Sequence, residues 1–213
     1  AMKKCKQESE ILDALYSLGI EKVNFSFLTM ETQREIVEAI QAVADEFPCI
    51  CGKITSISVA LPPFVGWRSE AETLLDSDLT IHIKLNARYF LMPKKFKRTL
   101  TAEKQSQYAA GIGIQGVVAH ELGHVLHMLL EIRRFYDILS PFDSNQFVDT
   151  NPIVQEVQKT LGITSKQMRY YLSAYGAKDS DEAVAECVSE YFTTKNPRMF
   201  SRLVVAKLRS KFQ

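Results

Sequence analysis

The strongest constraint on this chain is one apolar run broken by polar residues at helical spacing. From Val117 to Leu126 it reads Val-Val-Ala-His-Glu-Leu-Gly-His-Val-Leu. Residues four apart project from nearly the same face of an α-helix, about one turn apart. His120 and His124 therefore share a face, with Glu121 beside them. Val118, Leu122, Gly123, Val125 and Leu126 are uncharged, so the helix reads as buried. Two imidazoles and a carboxylate on a buried helix carry a desolvation cost unless they are paired or hold a metal. Any fold of this chain has to bring partners to that face. The plain alternative is a pair of hydrogen-bonded core histidines with a surface glutamate.

Two imidazoles on one face can grip one metal ion, and Glu121 can sit beside the open coordination position where a water binds. This is the H-E-x-x-H arrangement of zinc peptidases, with the glutamate as general base. Such a zinc needs a third protein ligand and leaves its fourth position to water. A pattern continuing x-x-G-x-x-H would require glycine at 127 and histidine at 130. The chain has His127 and Leu130, which excludes that class. His127 is rotated about 60° from His124 at ~100° per residue, so it is expected beside the site rather than in it. His82 lies far upstream in a strand-like segment. A carboxylate is the better third ligand. The segment from Tyr175 to Glu186 offers Glu182 and Glu186, four apart on a largely apolar helix that Asp179 or Ser180 can cap. One can bind the metal, and the other can accept the free N–H of a ligand histidine.

These residues resemble a known group. His120-Glu121-Leu122-Gly123-His124, then Ser173-Ala174-Tyr175-Gly176, then Glu182-Ala183-Val184-Ala185-Glu186 look like the metallopeptidase domain of the anthrax lethal factor family. Its relatives include secreted Pro-Pro endopeptidases and domains carried by phage or mobile-element proteins. They are gluzincins, whose third zinc ligand is a glutamate on a later helix. The family pattern is Tyr-Gly, five residues, Glu, three residues, Glu, and residues 175–186 match it. The likeness covers about residues 112–195. It implies one Zn²⁺ per chain held by His120, His124 and Glu182, with Glu121 as general base and acid. It implies Tyr175 as support for the oxyanion and Glu186 as the acceptor behind a ligand histidine. One departure is visible: relatives often carry aromatic residues between the two glutamates, where this chain has Ala183 and Val184.

The expected fold is α+β: a helix-rich zincin-like domain with a small twisted sheet, a central metal helix, and a helical C-terminal part carrying the third ligand. All 213 residues, 46% hydrophobic and 24% charged, are expected in one such domain. Residues 8–19 read as a short helix ending at Gly19. Thr29 caps a helix over 31–47, with Pro48 past its end. Residues 53–60 and 78–86 alternate and read as strands, the second with Leu79, Ile81, Ile83 and Leu85 on one side. Residues 103–135 form the metal helix region, broken at Gly111-Ile112-Gly113. Segment 140–152 is a connection, and helices follow near 152–161, 165–173, 180–193 and 197–211. Leu61–Arg68 is a turn-rich loop whose Trp67 lines a substrate cleft or packs on the core. By the family likeness, residues 78–86 are the sheet edge that pairs with a peptide or protein substrate.

A net charge of +1 gives no global field toward nucleic acid or membrane. The basic run Lys94–Arg98 is read as a solvated loop and the basic tail from Lys195 to Lys211 as a solvated helix face. No stretch of about 20 apolar residues exists to span a membrane. Lys3, Lys4 and Lys6 are followed by Glu8 and Glu10, which is no signal peptide. Cys5, Cys49, Cys51 and Cys187 show no disulfide framework, so free thiols of a cytoplasmic protein are expected. No nucleophile elbow, P-loop or dinucleotide motif competes with the metal site. The leading expectation is a zinc-dependent endopeptidase. The rival is a metal-containing structural or binding module without chemistry.

Overall fold

The computed structural model describes residues 2–62, 64–66, 69–139 and 152–213. It is a mixed α+β structure. In chain order its elements are α1 (Met2–Ser17), β1 (Lys22–Asn24), α2 (Met30–Glu46), β2 (Ile54–Ala60), β3 (Ala71–Leu75), β4 (Ile81–Asn86), α3 (Ala87–Phe90) and α4 (Pro93–Gln105). There follow α5 (Gly113–Leu139), α6 (Pro152–Leu161), α7 (Met168–Tyr171), α8 (Ser180–Thr193) and α9 (Met199–Phe212). Trp67 and the connection over 140–151 lie outside the described residues.

Local chemistry accounts for several boundaries. The Thr29 hydroxyl accepts from the Thr32 amide and starts α2, as its sequence predicts. Ile36, Ile40 and Val43 then fall on one buried face of that helix. The Asp179 carboxylate accepts from the amides of Asp181 and Glu182 and starts α8. Lys94–Arg98 is not a loop. Pro93 occupies the first turn of α4, where its missing N–H costs nothing. Lys97 from that run reaches α2, 2.8 Å from Glu31 and 2.7 Å from Glu35.

The strands form one sheet in the order β1-β2-β4-β3. β1, β2 and β4 run parallel, and β3 is antiparallel to β4, with Thr73 opposite Ile83 and Ala71 opposite Leu85. This order corrects the expected edge. Residues 81–86 are paired on both sides, so β4 is an interior strand and β3 is the edge. It also shortens the predicted strand. Leu79 takes a left-handed φ of 65° in the hairpin from Asp76 to Thr80, and Asp78 accepts from the Thr80 amide. Leu79 closes the turn instead of extending the alternation.

Ile57, Ile83 and Leu85 point from the sheet into a core shared with Val118, Leu122 and Val125 of α5, Val184 and Val188 of α8, and Val204 and Leu208 of α9. α5 packs on α2, α8 and β3, and α9 covers α8 and α6. Half of the basic tail's cations pair within the fold. Lys207 lies 2.7 Å from Glu156, Arg198 lies 2.7 Å from Glu190, and Arg209 pairs with Glu46. Cys49, Cys51 and Cys187 are free thiols. Among the described residues, no helix is long and apolar enough to cross a membrane.

Candidate metal centre

α5 and α8 cross in direct backbone contact, and this brings the two halves of the site together. A Cβ on Gly123 would stand 2.6 Å from the Cα of Ala185, closer than any side chain tolerates. The small pair lets the His120–His124 face of α5 meet the Glu182–Glu186 face of α8. Ser189, one turn further along α8, donates to the Gly116 carbonyl at 2.6 Å and extends the same seam.

Three side-chain atoms converge there. His120 Nε2 and His124 Nε2 are 3.1 Å apart. Glu182 Oε2 lies 3.1 Å from the first and 3.7 Å from the second. Ligands at about 2.0–2.2 Å around one tetrahedral ion stand about 3.3–3.6 Å from each other, so the triangle is of a size that could hold such an ion. Glu182 Oε2 is buried and makes no hydrogen bond despite its neighbours. A buried carboxylate oxygen without a partner is costly, and a cation between the three atoms resolves it. The donor set, two imidazoles and a carboxylate, also fits zinc.

The surrounding groups fix these atoms. Glu186 Oε1 lies 3.0 Å from His120 Nδ1, so Nδ1 is engaged by that carboxylate and Nε2 is the ring nitrogen that faces the centre. The other oxygen of Glu186 accepts from the Ser173 hydroxyl at 2.8 Å and from the Ala110 amide. Burial pulls His120 down, but Glu182 and Glu186 outweigh it and lift the imidazole to about 10. His124 is drawn to about 4 by its own burial and by the charge of His120. Burial also raises Glu182, yet its contacts with His120 hold it below the usual carboxylate range.

Glu121 is buried against the edge strand. The Thr73 hydroxyl of β3 lies 2.7 Å from Glu121 Oε2 and 3.1 Å from its carbonyl oxygen. Burial pushes the Glu121 carboxyl up. Tyr175 lies with its ring 5.7 Å from that of His120, and its hydroxyl feels the charge of Glu182. Burial and the charge of Glu182 push that hydroxyl up, so it remains a proton donor. The Tyr175 amide donates to the Tyr108 carbonyl at 2.9 Å, and Lys178 Nζ sits 3.6 Å from the Tyr175 ring centroid. His120, His124, Glu182, Glu186, Glu121, Thr73, Tyr108 and Tyr175 line one cleft of about 660 Å³.

The remaining histidines behave as spacing suggests. His127 points away from the triangle toward Asp181, 3.4 Å distant, and Glu131, 3.6 Å distant. His82 is on β4, with Ser56 Oγ at 2.7 Å from Nδ1 and Thr80 Oγ1 at 3.0 Å from Nε2. Sequence reasoning missed Thr73, Ser173 and Ala110. Ser173 stands within the stretch that carries the family likeness, but nothing in the sequence marks Thr73 or the amide of Ala110. No family model, no curated protein and no solved structure matches this chain.

Proposed function

We propose that this chain is a zinc-dependent endopeptidase of the zincin type, similar to the lethal factor-like gluzincins. The observation that carries the reading is the triangle of His120 Nε2, His124 Nε2 and Glu182 Oε2 beside a buried, strand-anchored Glu121. Those three residues would hold the ion. A bound Zn²⁺ supplies Lewis acidity and lowers the pKa of water to about 7.

The chain's own groups do the rest. Glu121 takes the proton of the attacking water at its carboxylate and later delivers it to the leaving amine. Its raised affinity for a proton suits both steps. Tyr175 donates its hydroxyl hydrogen to the oxygen that gains negative charge. Glu186 keeps His120 in the tautomer and orientation that the site needs. The outer edge of β3 pairs with the extended substrate through main-chain hydrogen bonds, while Thr73 of that strand steadies Glu121. A metal held only for structure has no use for Glu121 and Tyr175 in these positions.

Digestion of a peptide library by the zinc-loaded protein tests the reading. Cleavage is expected, suppressed by a chelator and restored by zinc. A protein that holds stoichiometric zinc and cleaves no peptide would instead be a binding or structural module.

A further inference from the structure

The cleft continues past the metal-binding side chains. A second groove of about 380 Å³ abuts it, and Tyr89 and Thr99 line both. The groove is largely apolar. Leu91 and Met92 at the α3–α4 junction and Leu61 beyond β2 are 41%, 59% and 64% exposed. Its rim is cationic. Arg88 and Lys95 are exposed and, among the described residues, neither makes an ion pair. Exposed apolar side chains rimmed by unpaired cations offer a surface to a partner that is apolar and acidic.

The main cleft has the opposite character. Glu72 and Glu103 line it along with the glutamates of the site, Glu70 lines it too but burial keeps it protonated, and neither lysine nor arginine lines it. One face of α4 connects the two regions. Lys95, Thr99 and Glu103 are spaced four apart and rise along that face. Lys95 and Glu103 are therefore about 12 Å apart along the axis at ~1.5 Å per residue. An extended peptide covers that length in about four residues at ~3.3 Å each.

We propose that this groove is a second docking station for the substrate chain, an inference that rests on the peptidase reading. Its occupant is a peptide segment with an apolar and an acidic side chain. That segment lies about four residues from a basic side chain that faces the glutamates of the cleft. The apolar side chain enters between Leu61, Leu91 and Met92, and the carboxylate meets Arg88 and Lys95. Two regions of opposite charge, a fixed distance apart, select a substrate of complementary polarity and set its register.

Three labelled peptides test this, each about four residues longer than the spacing. One carries lysine and, at that spacing, Leu-Asp; one has the charges exchanged; one has glutamine and asparagine in their place. Each is made in both chain directions. Binding is read by fluorescence anisotropy on the zinc-loaded Glu121→Gln protein, and cleavage on the parent. In one chain direction the matched peptide is expected to bind at least tenfold tighter than the exchanged one. The double variant Arg88→Glu with Lys95→Glu, both at exposed positions, should abolish that preference. It should leave cleavage of a short peptide unable to reach the groove unchanged. Equal binding of all three peptides, or a preference that survives the double variant, overturns the proposal. So does a dimer that the double variant converts to monomer, or attachment to anionic vesicles that it alone removes, since the groove then belongs to another occupant. A preference without cleavage of any peptide by the parent leaves the docking site standing and removes the peptidase reading.

Discussion

Gly123→Ala is the sharpest probe of how the metal centre is built. The added methyl would sit 2.6 Å from the Cα of Ala185 and 3.3 Å from its Cβ and N. Carbon atoms of packed groups stand about 3.5–4.0 Å apart, so α5 and α8 must separate by about 1 Å. The two histidines travel with one helix and Glu182 with the other. A metal site tolerates about 0.2 Å in its ligand distances, so the shift withdraws the carboxylate from the ion. The expected result is at least about a 100-fold loss of zinc affinity, or ~2.7 kcal/mol. Overpacking adds about 1–3 kcal/mol of destabilisation that does not depend on zinc. Competition against a chromophoric chelator measures the first effect, and thermal melting in excess chelator measures the second. A folded Gly123→Ala protein that binds zinc within about threefold of the parent would refute the claim that this helix contact sets the ligand spacing.

The other expectations concern single groups. Glu121→Gln should keep zinc and abolish cleavage, whereas His120→Ala should lose zinc; metal analysis beside a peptide assay separates the two, and parental cleavage by Glu121→Gln sinks the base assignment. Tyr175→Phe should lower turnover about 10²–10³-fold with little change in KM, as loss of one oxyanion donor does; an unchanged rate removes Tyr175 from the mechanism. Glu70 is pushed up to about 8 by burial and by the charge of Glu103. The folded protein therefore keeps a proton that the unfolded chain releases near the ordinary value. That makes stability fall as pH rises from about 5 to about 8, and level off above. Glu70→Gln should remove this slope and be more stable than the parent at about pH 9, by on the order of a few kcal/mol, yet little different near pH 5. Melting curves in chelator decide it, and parallel pH profiles for the two proteins would refute it.

What could be read in advance was what one helix determines for itself. The shared face of His120 and His124, the pairing of Glu182 with Glu186, and the caps at Thr29 and Asp179 all follow from residues within a turn or two of each other. What depends on two distant segments meeting stayed hidden. β3 reads Ala-Glu-Thr-Leu-Leu, with no alternation to announce a strand, and β1 has only three residues. Without β3 in view, β4 took its place as the expected edge, because strand order is decided by tertiary pairing. Thr73 was invisible for the same reason: its role comes from the strand lying against Glu121, 48 positions away. The Ala110 amide is a backbone group, which no side-chain pattern marks. Leu79 fitted the period of a strand but is spent on the hairpin.

The anchoring of Glu186 bears on how the proposed ion would be acquired. This carboxylate ties together the segment that leads into α5, through Ala110, the approach to α8, through Ser173, and the imidazole of His120. None of those three bonds involves a ligand atom of the triangle. The cluster is thus braced from behind by bonds that need no ion. If the proposed zinc binds there, it would be expected to load onto a folded scaffold, unlike the metal of small zinc-dependent modules. The metal content of a preparation would then follow the zinc supply and competing chelators rather than report whether the protein folded.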